Sequence, residues 1–384
     1  MLRVLHLNTQ FASLGGVEAV LRFHHEQDAG LGMDSRFIAL WEDSRDGFAR
    51  TAFAAFSRHL SVRDARRRVA GAWPAFRPST VVHHTTWGQA FLADLDGSAR
   101  RVLFLHSDTP GLAHQLPARV PLMDGVIAVS DVLLDRARAA APAWPSSRFL
   151  RIDYPIHPPA WLTGQKPRPP GAPLVLGYAG RLSTEQKRIE RFIELSRRLS
   201  NARFPWRLEF LGDGPERGLL ESALPNRAQH IFHGRRSGED YWRIVDGWDA
   251  ILFTSDFEGT PIALIEALAT GAVPIHPAIG SGGDAYAREI SPDLAYPAAD
   301  IEAMARAIEV LAGWTPLQRD QAILRARAIA ARHDARRYLT RFRDFLQEIE
   351  TLPPLPKPAF RRWGFPLDRL SFGQFEWIAR FRRS

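Results

Sequence analysis

The sequence predicts an α/β protein made of two doubly wound domains, each a parallel sheet with helices on both faces. Short apolar runs typical of strands alternate with helical stretches along most of the chain, and such alternation favours parallel sheets. A proline-rich stretch, Ile156–Pro173, interrupts the alternation as an interdomain linker would. The chain has 384 residues, a length typical of two domains of about 150–200 residues. We therefore divide it into an N-terminal domain over 1–165, a C-terminal domain over 166–345 and a tail over 346–384.

Each predicted element follows from an apolar pattern and from the turn residues that end it. In the N-terminal domain, strands are expected at 3–8, 35–40, 80–84, 101–106 and 125–129, and a helix is expected at 17–29. In the C-terminal domain, strands are expected at 174–178, 207–211, 230–232, 250–253 and 272–275, with helices at 189–199 and 216–223 and a long helical stretch at 301–350. Ligands of such sheets bind outside the carboxyl ends of the strands. The loops that follow strands are therefore the candidate site.

Composition narrows the class of protein. The formal net charge is +8, which favours an anionic partner. The absence of cysteine excludes a disulfide framework and thiolate metal sites. No apolar run approaches the roughly 18 residues that cross a bilayer, and the opening MLRVLHLN lacks the features of a signal peptide. We therefore expect a cytoplasmic protein.

The string EGTPIALIEALATGAVP carries two carboxylates eight positions apart, Glu258 and Glu266. Thr260 is a good N-cap and Pro261 suits the first helical position, so a helix is expected to begin there and to end at Gly271 in a left-handed conformation. Glu258 then lies on a loop ahead of a positive helix end, which suits a ligand that carries both hydroxyls and negative charge. Taken singly, either glutamate is better explained as part of a local surface ion pair.

This string has the pattern E-G-x-P-x-x-x-x-E-A-x-x-x-G-x-x-P, which resembles the donor-site signature of glycosyltransferase family 4. Members of that family are retaining nucleotide-sugar enzymes of the GT-B fold, with two Rossmann-like domains that face each other across a cleft. The resemblance implies that Glu266 accepts hydrogen bonds from the ribose hydroxyls. It also implies that Glu258 and the amides of Gly259 and Thr260 hold the donor sugar, with Pro261 in the same donor-binding loop.

A second motif, Gly180-Arg181-Leu182 followed by Lys187, lies between a predicted strand and a predicted helix. A forked guanidinium and a compact ammonium suit a single shared anion. Only three of the 50 basic residues are lysines, so a lysine at this place is informative, although two solvated basic side chains are the simpler alternative. The resemblance implies that Arg181 and Lys187, with the backbone of Gly180, hold the nucleotide diphosphate and stabilise its departing charge.

Two loops of the N-terminal domain are weaker candidates. Gly15 and Gly16 separate the first strand from the first helix and allow a ligand to approach the backbone; the family has a GG loop here near the diphosphate, and a plain turn is an equal alternative. His106 ends the run RVLFLH, at the carboxyl end of a predicted strand. The resemblance implies that His106 contacts the donor sugar near its reacting carbon. Asp108 and Thr109 are candidates on the acceptor side, and a capping turn is the alternative.

Two loops of the C-terminal domain are read mainly as backbone structure. The string LGDGPERG departs by one residue from the dinucleotide fingerprint G-x-G-x-x-G, and we interpret it as a tight turn. His233, Gly234 and Arg235 match the family loop that touches the nucleobase, chiefly through its backbone.

No metal site and no cofactor are expected. His24-His25 and His83-His84 invite a metal reading, but neighbouring side chains point apart and no spacing completes a ligand set. Asp94-Leu95-Asp96 lies in a polar turn, unlike the metal-binding D-x-D of other glycosyltransferases.

Two basic, aromatic segments concern partners: Phe48–Phe76 and the end of the tail, Phe360–Ser384. Such segments can lie on an anionic membrane surface, such as the inner face of the cell membrane. The alternative, which we weigh equally, is that the aromatic side chains of the tail pack on the first domain. No nucleic-acid-binding module is recognised, so nucleic acid is not an expected partner.

The sequence thus predicts a retaining, metal-independent hexosyltransferase that moves a sugar from a UDP- or GDP-linked donor to a hydroxyl acceptor. Cell-surface polysaccharide or glycolipid synthesis is the expected setting, with a lipid-linked acceptor left open. Two alternatives stay open: a nucleotide-sugar epimerase or isomerase of similar architecture, and a non-catalytic nucleotide-sugar-binding protein.

Overall fold

The computed structural model describes residues 1–11, 15–43, 49–72, 76–84, 92–162, 169, 171–357 and 369–374. These residues form two compact units. The first comprises Met1–His106, Pro110–Ile152 and the described part of Leu339–Ser384; the second comprises Ser107–Thr109 and Asp153–Tyr338. The described part of the proline-rich stretch therefore belongs to the second unit.

The first unit is built on a seven-stranded parallel sheet in the order β3-β2-β1-β4-β5-β6-β7. Its strands are β1 (Leu2–Asn8), β2 (Met33–Ala39), β3 (Thr51–Phe53), β4 (Thr80–His83), β5 (Arg100–Leu105), β6 (Gly125–Ala128) and β7 (Phe149–Arg151). Its described helices are α1 (Gly16–Gln27), α2 (Val62–Ala72), α3 (Leu112–Arg119) and α4 (Asp131–Ala140). The sequence did not predict β3 and β7, because three-residue edge strands are too short to show a periodic pattern.

The second unit is built on a six-stranded parallel sheet in the order β10-β9-β8-β11-β12-β13. Its strands are β8 (Leu174–Ala179), β9 (Trp206–Leu211), β10 (His230–Gly234), β11 (Ala250–Leu252), β12 (Val273–Pro277) and β13 (Ala295–Tyr296). Its helices include α5 (Arg191–Leu199), α6 (Arg217–Ala223), α7 (Gly238–Asp246), α8 (Ile262–Thr270), α9 (Gly282–Ile290), α10 (Ile301–Ala312) and α11 (Pro316–Ala330). The predicted fold class, two parallel α/β units, is confirmed.

The helical stretch 301–350 is broken at points that the sequence marks. α10 begins at the N-cap Asp300, and a capping box between Thr315 and Gln318 starts α11 directly after it. A final helix, α12 (Ala335–Thr351), belongs to the first unit from Leu339 onward. There Glu350 accepts a hydrogen bond from the hydroxyl of Thr80, at 3.0 Å between oxygens.

The chain after α12 remains on the first unit as far as it is described continuously. Arg148 donates to the carbonyl of Pro353 at 2.6 Å, and the Lys357 ammonium lies 2.6 Å from a carboxylate oxygen of the buried Asp124. Phe372 is buried in the core of the same unit. The remaining tail residues, 358–368 and 375–384, lie outside the described residues.

The central strands of both sheets are buried on both faces, as is usual for parallel sheets. Every residue of β8 and β12 is buried. In β8, Gly177 is required by close packing: a Cβ added there would lie 1.9 Å from the indole of the fully buried Trp248. Trp248 cannot move away without losing a hydrogen bond, because its ring N–H donates to Glu209 at 3.1 Å.

We expect Gly177→Ala to destabilise the protein by about 1–3 kcal/mol, the usual cost of overpacking a rigid core. The matched control is Gly218→Ala in the exposed first turn of α6, where an added Cβ meets nothing within 4 Å. The control should be neutral or slightly stabilising, because alanine favours a helix over glycine. Urea unfolding measures both; equal effects would contradict this account of the β8 packing.

Candidate active site

The loops after β8 and β11 meet at a largely buried ion pair between Lys187 and Glu258. The lysine Nζ lies 2.6 Å from Oε1 of the glutamate, and their side chains are 19% and 6% exposed. The hydroxyl of Ser255 donates to the same oxygen at 2.6 Å, and Gln186 donates to the other at 3.3 Å. Glu258 is therefore a fixed carboxylate before any ligand arrives. Ser255 and Gln186 were missed by the sequence analysis, because only the fold brings them to Glu258.

The backbone of Lys187 is also fixed to the β11 loop. Its carbonyl accepts a hydrogen bond from the hydroxyl of Thr254 at 2.7 Å, and the guanidinium of Arg191 donates to the carbonyl of Thr254 at 2.6 Å. Arg191 also pairs with Asp256 at 2.7 Å. An ammonium group has three N–H donors, so Lys187 can bind Glu258 and still donate to a further anion.

Arg181 follows β8 in the same loop, and its side chain is exposed. Its carbonyl accepts a hydrogen bond from the buried hydroxyl of Tyr178 at 2.7 Å, which holds the backbone in place. Burial, together with the charge of Glu258, raises the pKa of Tyr178 well above its ordinary value. Within the described residues, the guanidinium of Arg181 makes no hydrogen bond or ion pair with another side chain.

Glycines let the loops after β8, β9 and β10 stack closely. A Cβ added to Gly212 would lie 2.0 Å from the carbonyl oxygen of Gly180, and one added to Gly214 would lie 2.2 Å from that of Leu182. The N–H of Gly212 donates to the carbonyl of Gly234 at 2.9 Å. The string LGDGPERG is thus the tight turn that the sequence predicts, and it links Gly180 to Gly234 through backbone contacts.

The side chain of His233 is engaged inside the second unit. Its ring nitrogen lies 2.8 Å from Glu209, which also pairs with Arg207 at 2.7 Å. Burial acts to raise the pKa of Glu209, but hydrogen bonds from His233 and Trp248 and the charge of Arg207 outweigh it and lower that pKa. Arg235 is exposed.

The start of α8 differs by one residue from the prediction. Pro261 is the N-cap, in an extended conformation, and the helix begins at Ile262 without a side-chain cap. Thr260 is therefore not the N-cap. It is buried, and its hydroxyl lies where a Cβ on Gly282 would be only 2.3 Å away, so its side chain packs against the start of α9. Gly271 ends α8 in the left-handed conformation that the sequence predicts, with φ of 87°.

Glu266 makes its described side-chain hydrogen bond to another residue, Tyr241, and not to Lys187 or Glu258. It is half-buried in α8 and accepts a short hydrogen bond from the hydroxyl of Tyr241 in α7. The loss of water around its carboxyl raises the pKa of Glu266 from 4.5 to about 7, against the opposing effect of the Tyr241 hydrogen bond. Tyr241 was missed by the sequence analysis, because only the fold brings it to Glu266.

The remaining predicted site residues are Asp108, Thr109, Gly15, Gly16 and His106. The N–H of Asp108 donates to the carbonyl of Glu258 at 3.3 Å, within the second unit, and Thr109 beside it is exposed. Gly15 is the N-cap of α1 and Gly16 its first residue, and a Cβ on Gly15 would collide with the side chain of Glu18. His106 follows β5 in the first unit and is 8% exposed.

The surroundings of His24 differ from the expectation. The sequence analysis expected no carboxylate or histidine to complete a set of possible metal ligands with His24. In the structure its Nδ1 lies 2.8 Å from Asp28, and His6 lies 3.6 Å from the same carboxylate. The sequence showed Asp28 one helical turn along, but only the sheet brings His6 beside it.

Each of the two basic, aromatic segments, Phe48–Phe76 and Phe360–Ser384, contributes a buried aromatic residue to the core of the first unit. Phe56 and Phe372 are buried, with ring centroids 5.8 Å apart. Phe372 donates its N–H to the carbonyl of Leu60 at 3.1 Å. Phe48, Trp73 and most of 360–384 lie outside the described residues. Across the described chain, every helix is too short or too polar to cross a bilayer.

A cavity of about 490 Å³ lies elsewhere in the second unit. It is lined by Pro205, Asp249 and Val273, which stand at the amino ends of strands, and by Trp314 and Arg319. Since ligands of doubly wound sheets bind at the carboxyl ends, this cavity is not the candidate site.

The raised pKa of Glu266 predicts a pH-dependent loss of stability. The folded chain holds the proton of the Glu266 carboxyl more tightly than the unfolded chain does. The stability that this bound proton contributes is therefore fully present below pH 4.5 and is lost as the pH rises through about 7. Glu266→Gln should therefore gain stability relative to the wild type between pH 5 and pH 8, by at most roughly 3 kcal/mol. Urea unfolding at both pH values measures this. Glu185→Gln, at an exposed position in the loop after β8, is the control, and a pH-independent difference for Glu266→Gln would contradict the prediction.

Known proteins resemble this chain in one domain and in the overall fold. Residues 173–313 match the model of the family described as glycosyl transferases group 1. No curated protein matches the chain. Among solved structures, the lipopolysaccharide outer core galactosyltransferase WaaB is 18% identical with a TM-score of 0.67, over 90% of this chain and 99% of that one. Anabaena HepE in complex with UDP-glucose is 16% identical with a TM-score of 0.70, over 92% and 100%. Sucrose-phosphate synthase from Thermosynechococcus elongatus is 14% identical with a TM-score of 0.70, over 91% and 99%. Residues 173–313 thus match a group 1 glycosyltransferase domain, and the chain has the GT-B fold of these structures.

Proposed function

We propose that the protein is a retaining glycosyltransferase that moves a hexosyl group from a nucleoside diphosphate sugar to a hydroxyl acceptor. The observation that carries this proposal is the largely buried Lys187–Glu258 pair at the carboxyl ends of β8 and β11. It places a fixed carboxylate beside a cation that retains unused donors, which is what a sugar joined to a diphosphate requires. The match of residues 173–313 to the group 1 domain supports the same conclusion.

The donor would lie against the second unit. Lys187 and the exposed Arg181 would bind the diphosphate and stabilise the charge that develops on the leaving nucleotide. These cations belong to the protein, and the proposed reaction uses no metal. Glu258 would accept hydrogen bonds from hydroxyls of the sugar, and Gly259 and Thr260 would present amide groups to it. Gly180, Gly234 and Arg235 would line the path of the nucleotide.

Glu266 would accept hydrogen bonds from the ribose in place of the Tyr241 hydroxyl. The donor would bind the ionised form of Glu266 best, because an ionised carboxylate only accepts hydrogen bonds. Since the pKa of Glu266 is raised to about 7, only part of the protein holds this form at neutral pH. His106 would orient the sugar, and Asp108 and Thr109 would serve the acceptor, since Asp108 contacts the backbone of Glu258.

UDP is the first nucleotide to test, because HepE was solved in complex with UDP-glucose. A lipid-linked acceptor and attachment to an anionic membrane surface belong to the same proposal; the basic residues in the tail and the net charge of +8 support them.

Lys187→Met combined with Glu258→Gln separates the catalytic role of the pair from its structural role. Each single variant leaves one partner of a largely buried pair and should be destabilised, whereas the double variant should recover stability to within about 1 kcal/mol of the wild type. Transfer should stay at least about 100-fold below the wild type in all three, because the fixed charges are gone. Initial rates of sugar transfer or donor hydrolysis and urea unfolding are measured together. Recovery of activity in the double variant would contradict the proposal.

Donor binding should raise the melting temperature, since a ligand that binds only the folded state stabilises it. UDP- and GDP-sugars are compared, with and without EDTA. Arg181→Ala should abolish most of the shift, and Arg197→Ala, an exposed arginine of α5, should keep it. Product analysis then separates the alternatives: transfer or slow hydrolysis supports the proposal, whereas an isomerised donor or binding alone contradicts it.

A further inference from the structure

We propose that Asp28 sets the tautomer of His106 through a buried chain of histidines, so that His106 carries its proton on Nε2 and presents a lone pair on Nδ1. Asp28, His6 and His84 would then be positioning residues that act through His106. The proposal concerns the first unit alone.

The chain runs from Asp28 to His106 through one charge contact, between Asp28 and His6, and two hydrogen bonds between histidine rings. His6 Nε2 lies 3.6 Å from Oδ2 of Asp28, His6 Nδ1 lies 2.9 Å from His84 Nε2, and His84 Nδ1 lies 2.8 Å from His106 Nε2. Asp28 and the three histidines are between 0% and 8% exposed. Both nitrogens of His6 and His84 therefore face a polar neighbour in the chain.

Asp28 is the fixed end of this chain because it is ionised. Burial acts to raise its pKa, but the charge and hydrogen bond of His24 and the nearby His6 outweigh burial and hold the pKa well below its ordinary value. The carboxylate accepts a hydrogen bond from His24 Nδ1 at 2.8 Å and a short one from the hydroxyl of Ser35. An ionised carboxylate cannot donate.

The charge of the Asp28 carboxylate sets the direction of both hydrogen bonds between the histidine rings. A lone pair on His6 Nε2 would be repelled by the carboxylate, so the proton of His6 is placed on Nε2 and its Nδ1 accepts. His84 must then donate from Nε2 and accept at Nδ1. His106 must in turn donate from Nε2, which leaves the lone pair of its neutral ring on Nδ1.

The hydrogen bonds have this fixed direction only when each ring carries one proton, and burial supplies this condition. Burial lowers the pKa of His6 to about 4, that of His84 well below its ordinary value and that of His106 to about 3. At neutral pH all three rings are therefore neutral, and a fixed direction at one end is transmitted to the other.

Aromatic rings hold the chain in place. Phe37 stacks on His6 at 4.8 Å between centroids, and Phe104 stacks on His106 at 4.2 Å. Phe342 of α12 packs against His24 at 4.4 Å. These contacts restrict rotation of the rings and exclude water that would otherwise break the sequence of donors and acceptors.

A lone pair on Nδ1 suits a ligand group that donates a hydrogen bond, such as a sugar hydroxyl, and disfavours a carbonyl or phosphate oxygen. That consequence rests on the proposed function. The tautomer itself does not, because it is a property of the chain without ligand.

The experiment is nitrogen-15 NMR of the full chain labelled at histidine, at pH 7.5 and without donor, with His106→Gln to assign the ring signals. In the wild type we expect His106 to show a protonated Nε2 and an unprotonated Nδ1. Asp28→Asn keeps the shape but removes the carboxylate, and should give a mixture of tautomers or the reversed one. Asp135→Asn, at an exposed position in α4, is the matched control and should leave the signals unchanged.

If Asp28→Asn fails to fold, His84→Phe interrupts the chain while keeping an aromatic ring, and should release the His106 tautomer in the same way. A protonated Nδ1 or a charged ring in the wild type would overturn the proposal. So would an unchanged tautomer in the variants, or a shift of the His6 and His24 signals on addition of Zn²⁺, which would indicate a metal centre. Transfer activity is measured separately, so its absence tests the proposed function and leaves the tautomer result standing.

Discussion

The buried carboxylate of Glu258 is the constraint on which the candidate site depends. A carboxylate that is 6% exposed is stable only with partners, and here the partners come from two loops: Lys187 and Gln186 after β8, and Ser255 after β11. Meeting that requirement fixes both loops at the carboxyl edge of the sheet. The same contacts leave Lys187 with N–H donors that can bind a further group and leave Arg181 exposed, so the interaction that stabilises the site also prepares it for an anion.

Each unit uses a buried carboxylate to orient other groups. In the second unit Glu258 holds a cation, and the pair is fixed by charge as well as by hydrogen bonds. In the first unit Asp28 faces two histidines and Ser35, and in our proposal its charge orients His6, whose hydrogen bond to His84 passes that orientation along neutral rings. In both cases the low-dielectric surroundings make the direction of each hydrogen bond costly to reverse.

The sequence predicted the fold class and the loops of the site, because both depend on local patterns. Apolar runs marked the central strands, and the string from Glu258 to Pro274 marked a loop, a helix and a strand. The sequence could not predict contacts between distant segments. Glu258 is 71 residues from Lys187, and His6 is 78 residues from His84. Nor could it predict that Tyr241 binds Glu266, or that Pro261 takes an extended conformation and leaves Thr260 to pack against α9.

The central claim is that one nucleoside diphosphate sugar is held by Arg181, Lys187 and Glu258 together. A crystal structure of the protein soaked with UDP-glucose at a concentration near its dissociation constant tests this most directly. We predict diphosphate oxygens within about 3 Å of both Arg181 and Lys187, with a sugar hydroxyl on Glu258 at a similar distance. A nucleotide bound instead in the cavity lined by Asp249 and Trp314, or bound with both cations untouched, would contradict it.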